Sequence, residues 1–376
     1  MWRKARITSI AVAGVAAVAV LAGAGLAPAA ASTGRTGANG PANTPAIGPR
    51  PGGHAMFTTY SWGGPATRAA ATVPTWNGSF TISSATYNYK MVGTNPAGGS
   101  KTTTIPTEIL PLKVVMSNGI TVTGPASKLK ASPIFRNAAF TSGTTQLGDA
   151  MLRSGFWKTI QASSPNWHLL LGTPTVLPTV TINVPAADGS GFTNPSGTPF
   201  VNILYSWWTK KLQSIITAHN FPATTLPLII SGTTFLYIGS TSNCCVYGYH
   251  GSYTSASGHN TYAFSNWIAA GVVANGNADV YTMSHEVSEW AADPFVNDVV
   301  PTWNQPDGST CFNNLLEVGD PVEAMPKPWY TIKAGTVTYH PSDIAGISWF
   351  SHVSPSLQQN GLYSYKGYLK TPNTTC

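Results

Sequence analysis

The run from Asp279 to Glu323 holds nine of the chain's 13 acidic residues: Asp279, Glu286, Glu289, Asp293, Asp298, Asp307, Glu317, Asp320 and Glu323. No Lys or Arg interrupts it, although the 376-residue chain as a whole carries a net charge of +7. Carboxylates gathered without a side-chain cation repel one another unless a positive charge is bound among them, and a metal ion is the simplest such charge. His285, Glu286 and Glu289 stand as His-Glu-x-x-Glu. Positions i and i+4 of a helix share one face, about 6 Å apart along its axis, so His285 and Glu289 can chelate one ion. A divalent ion needs a third protein ligand, expected from Glu317 or Asp320 on a segment that folds back, with Gly319 allowing the turn. Zn2+ suits this donor set, with Ca2+ as the alternative. The competing expectation is an ordinary amphipathic helix with a solvated acidic face.

Helical spacing positions this pair. Met283, Val287, Trp290 and Ala291 recur on one apolar side, Asp279 is expected to cap the start and Pro294 to stop the end. Elsewhere the chain reads as α+β. Gly78 to Met91, Thr102 to Met116 and Val176 to Val184 are β-branched, aromatic and bounded by Gly or Pro, as strands are. Helical spacing appears over Thr144 to Ile160, over Phe200 to Ile216 with Pro199 at the entrance, and over Tyr262 to Ala274. Leu226 to Ser231, Thr233 to Ser240, Thr331 to His340 and Gly361 to Lys366 read as strands. His250 is expected in a Gly-flanked loop, where backbone comes close to a ligand.

Residues 1–31 read as a secretory signal: Arg3, Lys4 and Arg6, an apolar core from Ile7 through Leu26, then Ala29-x-Ala31. Residues 32–75, rich in Gly, Pro, Ala and Thr, are expected to be a flexible spacer or pro-segment. Residues 76–376 are expected to form a single α+β domain, β-rich over 76–185 and with the metal-site lobe over 199–376. No later segment is long and apolar enough to span a bilayer, and the scattered Lys and Arg make no nucleic-acid stripe. The reading is therefore a secreted, extracellular chain with no membrane association after signal cleavage. Four cysteines in an exported chain predict two disulfides. Adjacent cysteines rarely join because the ring is strained, so Cys244 and Cys245 are expected to pair with Cys311 and Cys376 in either order.

Two resemblances attach to these residues. The helix resembles the zincin metalloprotease signature H-E-x-x-H, with Glu289 where the second His would stand and Glu286 in the place of the general base. The longer constellation adds Asp-Pro-Phe-Val-Asn at 293–297 and Leu-Glu-Val-Gly-Asp at 316–320. It is similar to the secreted phosphate-induced proteins of the Exordium type known from plants, as is the Cys-x-x-x-x-His-Gly pattern ending at His250 and Gly251. The first resemblance implies a zincin-like mixed sheet with packed helices. The second implies an extracellular, wall-associated protein linked to growth signalling.

The expected function is a secreted metal-dependent hydrolase, foremost a peptidase acting on peptide or protein. Glu286 would be the base, and His250 or Tyr249 would stabilise an oxyanion. The alternative is a non-enzymatic protein associated with wall glycan, in which the same carboxylates hold a structural metal. A glycosidase is disfavoured, because Glu286 and Glu289 on one helix point the same way and not across a glycosidic bond.

Overall fold

The computed structural model describes residues 56–63, 71–161, 164–306, 314–374 and 376. The expected signal segment and most of the expected spacer lie outside these residues, as does Cys311. Among the described residues no helix is long and apolar enough to cross a membrane.

In chain order the first strands are β1 (Met56–Thr59), the hairpin β2 (Thr75–Ile82) and β3 (Ala85–Val92), β4 (Thr102–Ile105), β5 (Thr107–Met116) and β6 (Thr121–Thr123). The hairpin β7 (Ala138–Phe140) and β8 (Gly143–Thr145) follows, then β9 (His168–Leu171), β10 (Thr175–Val176), β11 (Val180–Val184), β12 (Gly189–Thr193) and β13 (Pro199–Leu204). The rest are β14 (Leu226–Ser231), β15 (Thr234–Tyr237), β16 (Cys244–Ser255), β17 (Gly258–Asn266) and the hairpin β18 (Ile332–Ala334) and β19 (Val337–Tyr339). The helices are α1 (Ala126–Lys130), α2 (Leu147–Gly155), α3 (Tyr205–His219), α4 (Tyr281–Ala292), α5 (Asp320–Glu323) and α6 (Ile347–Phe350).

The fold is α+β, dominated by one mixed 11-stranded sheet in the order β10-β5-β14-β17-β16-β15-β13-β12, with β1 beside β16 and both β6 and β11 beside β5. Strands β5, β14 and β17 run parallel, and β16 runs antiparallel to β17. Because β5 sits between β10 and β14, segments 76–185 and 199–376 share this sheet.

Alternation along the central strands divides the core. Leu110, Ile229, Tyr262 and Phe264 pack with Trp208, Leu212 and Ile216 of α3. Ile109, Leu228, Ile230 and Ala263 face the other way, into the layer that holds α2 and α4. A sheet covered on both faces needs near-continuous apolar strands, and β14, Leu-Pro-Leu-Ile-Ile-Ser, is buried at every position.

Small residues bring α4 close to this sheet. The face of β16 and β17 beneath it carries Gly248, Ser252, Thr261 and Ala263, with His250 directly opposite Ala263. A Cβ at Gly248 would come within 2.6 Å of Thr282 and 2.8 Å of the Glu286 carboxylate, so only glycine fits there. Trp290 Nε1 donates to Thr261 Oγ1 at 2.9 Å, and Thr282 Oγ1 donates to Asn266 Oδ1 at 2.8 Å. All of α4 is buried.

Several expectations fail for identifiable reasons. Residues 262–266 belong to β17 rather than to a helix, and His250 lies in the middle of β16 rather than in a loop. Both strands are covered on two faces, which removes the polar alternation that marks a strand in sequence. The helix expected from Phe200 begins at Tyr205, because Pro199–Leu204 is consumed by pairing with β12 and β15. The helix expected over 144–160 is limited to Leu147–Gly155, and no strand forms over 361–366.

Asp279 does not cap α4 in the expected way. The cap position is Val280, and Asp279 accepts from the backbone of Val280 and His340 and pairs with His340 Nδ1 at 2.7 Å. Within the expected spacer, β1 adds parallel to β16 and Trp62 stacks on Tyr253 with centroids 4.7 Å apart. The β-forming run of β1 is only four residues long, within a stretch otherwise rich in Gly, Pro, Ala and Thr.

Cys244 bonds Cys245 across a cis peptide, against the expected pairing, and Cys376 is also disulfide-bonded. The two Cα atoms lie 3.0 Å apart.

Candidate metal centre

Two elements converge on the polar side of α4. Strand β16 brings His250 across from Glu286 and Glu289. From the other side comes segment 314–318, fastened by Val300 N to Asn314 O at 2.7 Å, Leu316 N to Asp298 O at 3.0 Å and Ala345 N to Val318 O at 2.7 Å. It delivers Glu317 and leads into the single turn of α5, which carries Asp320 and Glu323. Gly319 at the junction lies against the imidazole of His285, where any Cβ would overlap the ring. Its backbone N–H donates to Glu289 Oε1 at 3.0 Å.

The donors fall into two sets that share Glu289. In one, His285 Nε2 lies 3.0 Å from Glu289 Oε1 and 3.5 Å from Asp320 Oδ1. In the other, His250 Nδ1 lies 3.6 Å from Glu289 Oε2, and His250 Nε2 lies 4.0 Å from Glu317 Oε2. Within each set one ligating atom per residue lies within 4.8 Å of the others. Two ligands of one zinc ion at about 2.0–2.1 Å in tetrahedral array are about 3.3 Å apart, so these separations suit a small divalent ion.

Each imidazole has a partner for its second nitrogen. His285 Nδ1 is 3.3 Å from Glu323 Oε1, whose carboxylate also accepts from the Tyr281 hydroxyl. His250 Nε2 is 3.2 Å from the backbone carbonyl of Asp293 and donates to it. An outer partner of this kind orients a metal-binding imidazole and selects its tautomer.

Electrostatics at this site are dominated by burial. His250, His285 and Glu286 are 0% exposed, Glu289 and Glu317 2%, Glu323 4% and Asp320 5%. Among the described residues the basic groups paired with these carboxylates are the two imidazoles.

Burial and the charge of Glu289 push the Glu286 carboxyl well above its ordinary range, and the same causes raise Glu317. Asp320 is raised to about 7 by burial and by Glu289, although His285 pulls it back. Burial would keep His285 neutral, but Glu289, Asp320 and Glu323 outweigh it and raise this imidazole well above its usual value. Burial opposes ionisation of Glu289 too, yet His285 and His250 bring it below the usual carboxylate range. His250 is lowered by burial, against the pull of Glu289.

All six residues singled out in the sequence, His250, His285, Glu286, Glu289, Glu317 and Asp320, come together here. Asp320 groups with His285 and Glu289, whereas Glu317 groups with His250 and Glu289. Glu323 was missed, although its spacing of three from Asp320 is that of one helix face. The surface clefts of about 500, 480 and 390 Å3 are lined elsewhere, and none of them includes a donor of this centre. No protein-family model, curated protein or solved structure matches the chain.

Proposed function

We propose that this chain is an exported metal protein in which a divalent ion of the zinc type, held by His285, Glu289 and Asp320, fastens α4 to the segment carrying α5. The observation that supports this best is the burial of every donor to 5% exposure or less. Structural metal sites are closed by protein ligands, whereas catalytic ones keep a position open to substrate. An imidazole in each donor set favours zinc over calcium, which takes six to eight oxygens. The zincin-like reading of the fold belongs to this proposal and is supported by α4, with its His-Glu-x-x-Glu, lying against a mixed sheet. An extracellular, wall-associated setting, as the Exordium-type resemblance implies, suits a centre that stabilises without reacting.

The test is elemental analysis of full-length protein purified without chelator, paired with thermal melting. Zinc is expected in the protein, chelator should lower Tm, and zinc alone should restore it. Calcium as the sole metal overturns the choice of ion. Absence of any metal, with a melting curve indifferent to chelator, overturns the centre.

Glu286 favours a second reading, the metal-dependent peptidase. Its Oε1 is buried without a hydrogen-bond partner, one residue from a ligand, as a general base would be. A bound ion would supply Lewis acidity toward a carbonyl. With a cation beside it to hold it ionised, Glu286 would accept the proton of an attacking water and return it to the leaving amine. Glu286→Gln keeps size while removing the base, so hydrolysis of a broad peptide library should vanish with Tm unchanged. A wild-type protein that binds zinc and cleaves nothing in that library ends the peptidase reading.

A further inference from the structure

We infer that the centre is dinuclear, with Glu289 bridging two divalent cations through its two carboxylate oxygens. The inference rests on the metal-centre reading above and extends it to a second ion, held by His250, Glu317 and the far oxygen of Glu289.

Glu289 presents one oxygen to each imidazole: Oε1 lies 3.0 Å from His285 Nε2, and Oε2 lies 3.6 Å from His250 Nδ1. Its two oxygens therefore face two different imidazoles. The tautomers agree with this. His250 Nε2 donates to the Asp293 carbonyl, which leaves the Nδ1 lone pair facing Glu289 Oε2 and Glu286 Oε2, the latter at 3.4 Å. That lone pair and the two facing carboxyl oxygens need a proton or a cation between them. His285 likewise spends Nδ1 on Glu323 and turns Nε2 to Glu289 and Asp320.

A second observation points to the same occupant. Glu286 Oε1 and Glu317 Oε1, in side chains exposed by 0% and 2%, have no hydrogen-bond partner and lie on the His250 side of the cluster. Buried carboxylate oxygens in native proteins are satisfied by hydrogen bonds or by a bound cation. A single ion beside His285 leaves Glu286 Oε1 and Glu317 Oε1 without a partner. Two ions offset twice the charge, at the separation of about 3.5–4 Å that bridged pairs adopt. His250 is then a ligand and not an oxyanion donor.

The experiment titrates Zn2+ into chelator-stripped full-length protein by calorimetry and counts equivalents, then repeats the loading with Mn2+ for electron paramagnetic resonance. Two equivalents and an exchange-coupled Mn2+ spectrum are expected. Glu317→Gln and Asp320→Asn should each reduce the count from two to one, and Glu289→Gln should weaken both sites. One equivalent in the wild type overturns the dinuclear centre while leaving the metal-protein reading intact; none overturns both. Two equivalents with only the isolated-ion hyperfine sextet refute the Glu289 bridge. The wild-type titration decides the matter even where a variant does not fold.

Discussion

Glu289→Ala is expected to abolish metal binding and to cost about 3–5 kcal/mol of folding stability, the usual penalty for deleting one member of a buried charge pair. The loss has two sources. His285, 0% exposed and paired at 3.0 Å with the Glu289 carboxylate, loses the group that contributes most to holding its charge in the interior. The Gly319 N–H, which donates to the same carboxylate at 3.0 Å, is left without that acceptor, so the turn delivering Glu317 and Asp320 loosens. Glu289→Gln keeps the acceptor for Gly319 and should fall between wild type and Ala. Urea midpoints of the chelator-treated proteins measure the electrostatic part, and the same series with zinc adds the metal part. An Ala variant within 1 kcal/mol of wild type that still binds zinc would show that Glu289 is not the pivot of the cluster.

This pivot was partly visible in the sequence, and the reason is local geometry. His285 and Glu289 are four residues apart on one helix, and helix periodicity is a short-range property that the apolar stripe Met283, Val287, Trp290 and Ala291 reports directly. The concentration of carboxylates without Lys or Arg was equally legible, because it is a matter of composition. So was the return of Glu317 and Asp320, since a charge-dense stretch of this kind has to be compensated somewhere.

What escaped depends on contacts distant in sequence. His250 reads as a loop residue between glycines, because nothing local reveals that Gly248 is required by the approach of Thr282 and Glu286 or that the strand is covered on both faces. The division of the donors into two sets follows from strand pairing, which aligns His250 opposite Ala263 and beneath α4. Residues 199–204 show the complementary error: their apolar spacing continues smoothly into α3, yet pairing with β12 and β15 makes them a strand. Tertiary contacts override propensity in such short segments. The Cys244–Cys245 bond is not legible in the sequence, because adjacent cysteines ordinarily avoid so tight a ring.

Stripped of metal, the protein is expected to lose stability as pH rises from about 4 to about 8, and zinc should reverse that slope. Burial, opposed by the backbone N–H groups of Asn297 and Asp298, raises Asp293 to about 6. Burial and the charge of Glu289 raise Asp320 to about 7, and burial together with Asp293 raises Asp298 to about 8. Each of these carboxyls binds its proton more tightly folded than unfolded. Their contribution is therefore full below the unfolded value near 4 and is lost as pH climbs through the folded values. At about 1.4 kcal/mol per pH unit, Asp320 alone accounts for roughly 4 kcal/mol across this window. Glu289 and His250 act in the opposite sense, since both are lowered on folding, but the raised carboxyls outnumber them. Zinc changes the sign because it requires ionised carboxylates and a deprotonated His285 Nε2, so its binding releases protons and strengthens as pH rises. Melting temperatures at pH 5, 6.5 and 8, with chelator and with zinc, should therefore diverge, the chelated series falling and the zinc series rising. A chelated protein whose Tm climbs steadily over this range would mean that these carboxylates are compensated by protein groups alone, and the need for a bound cation would disappear.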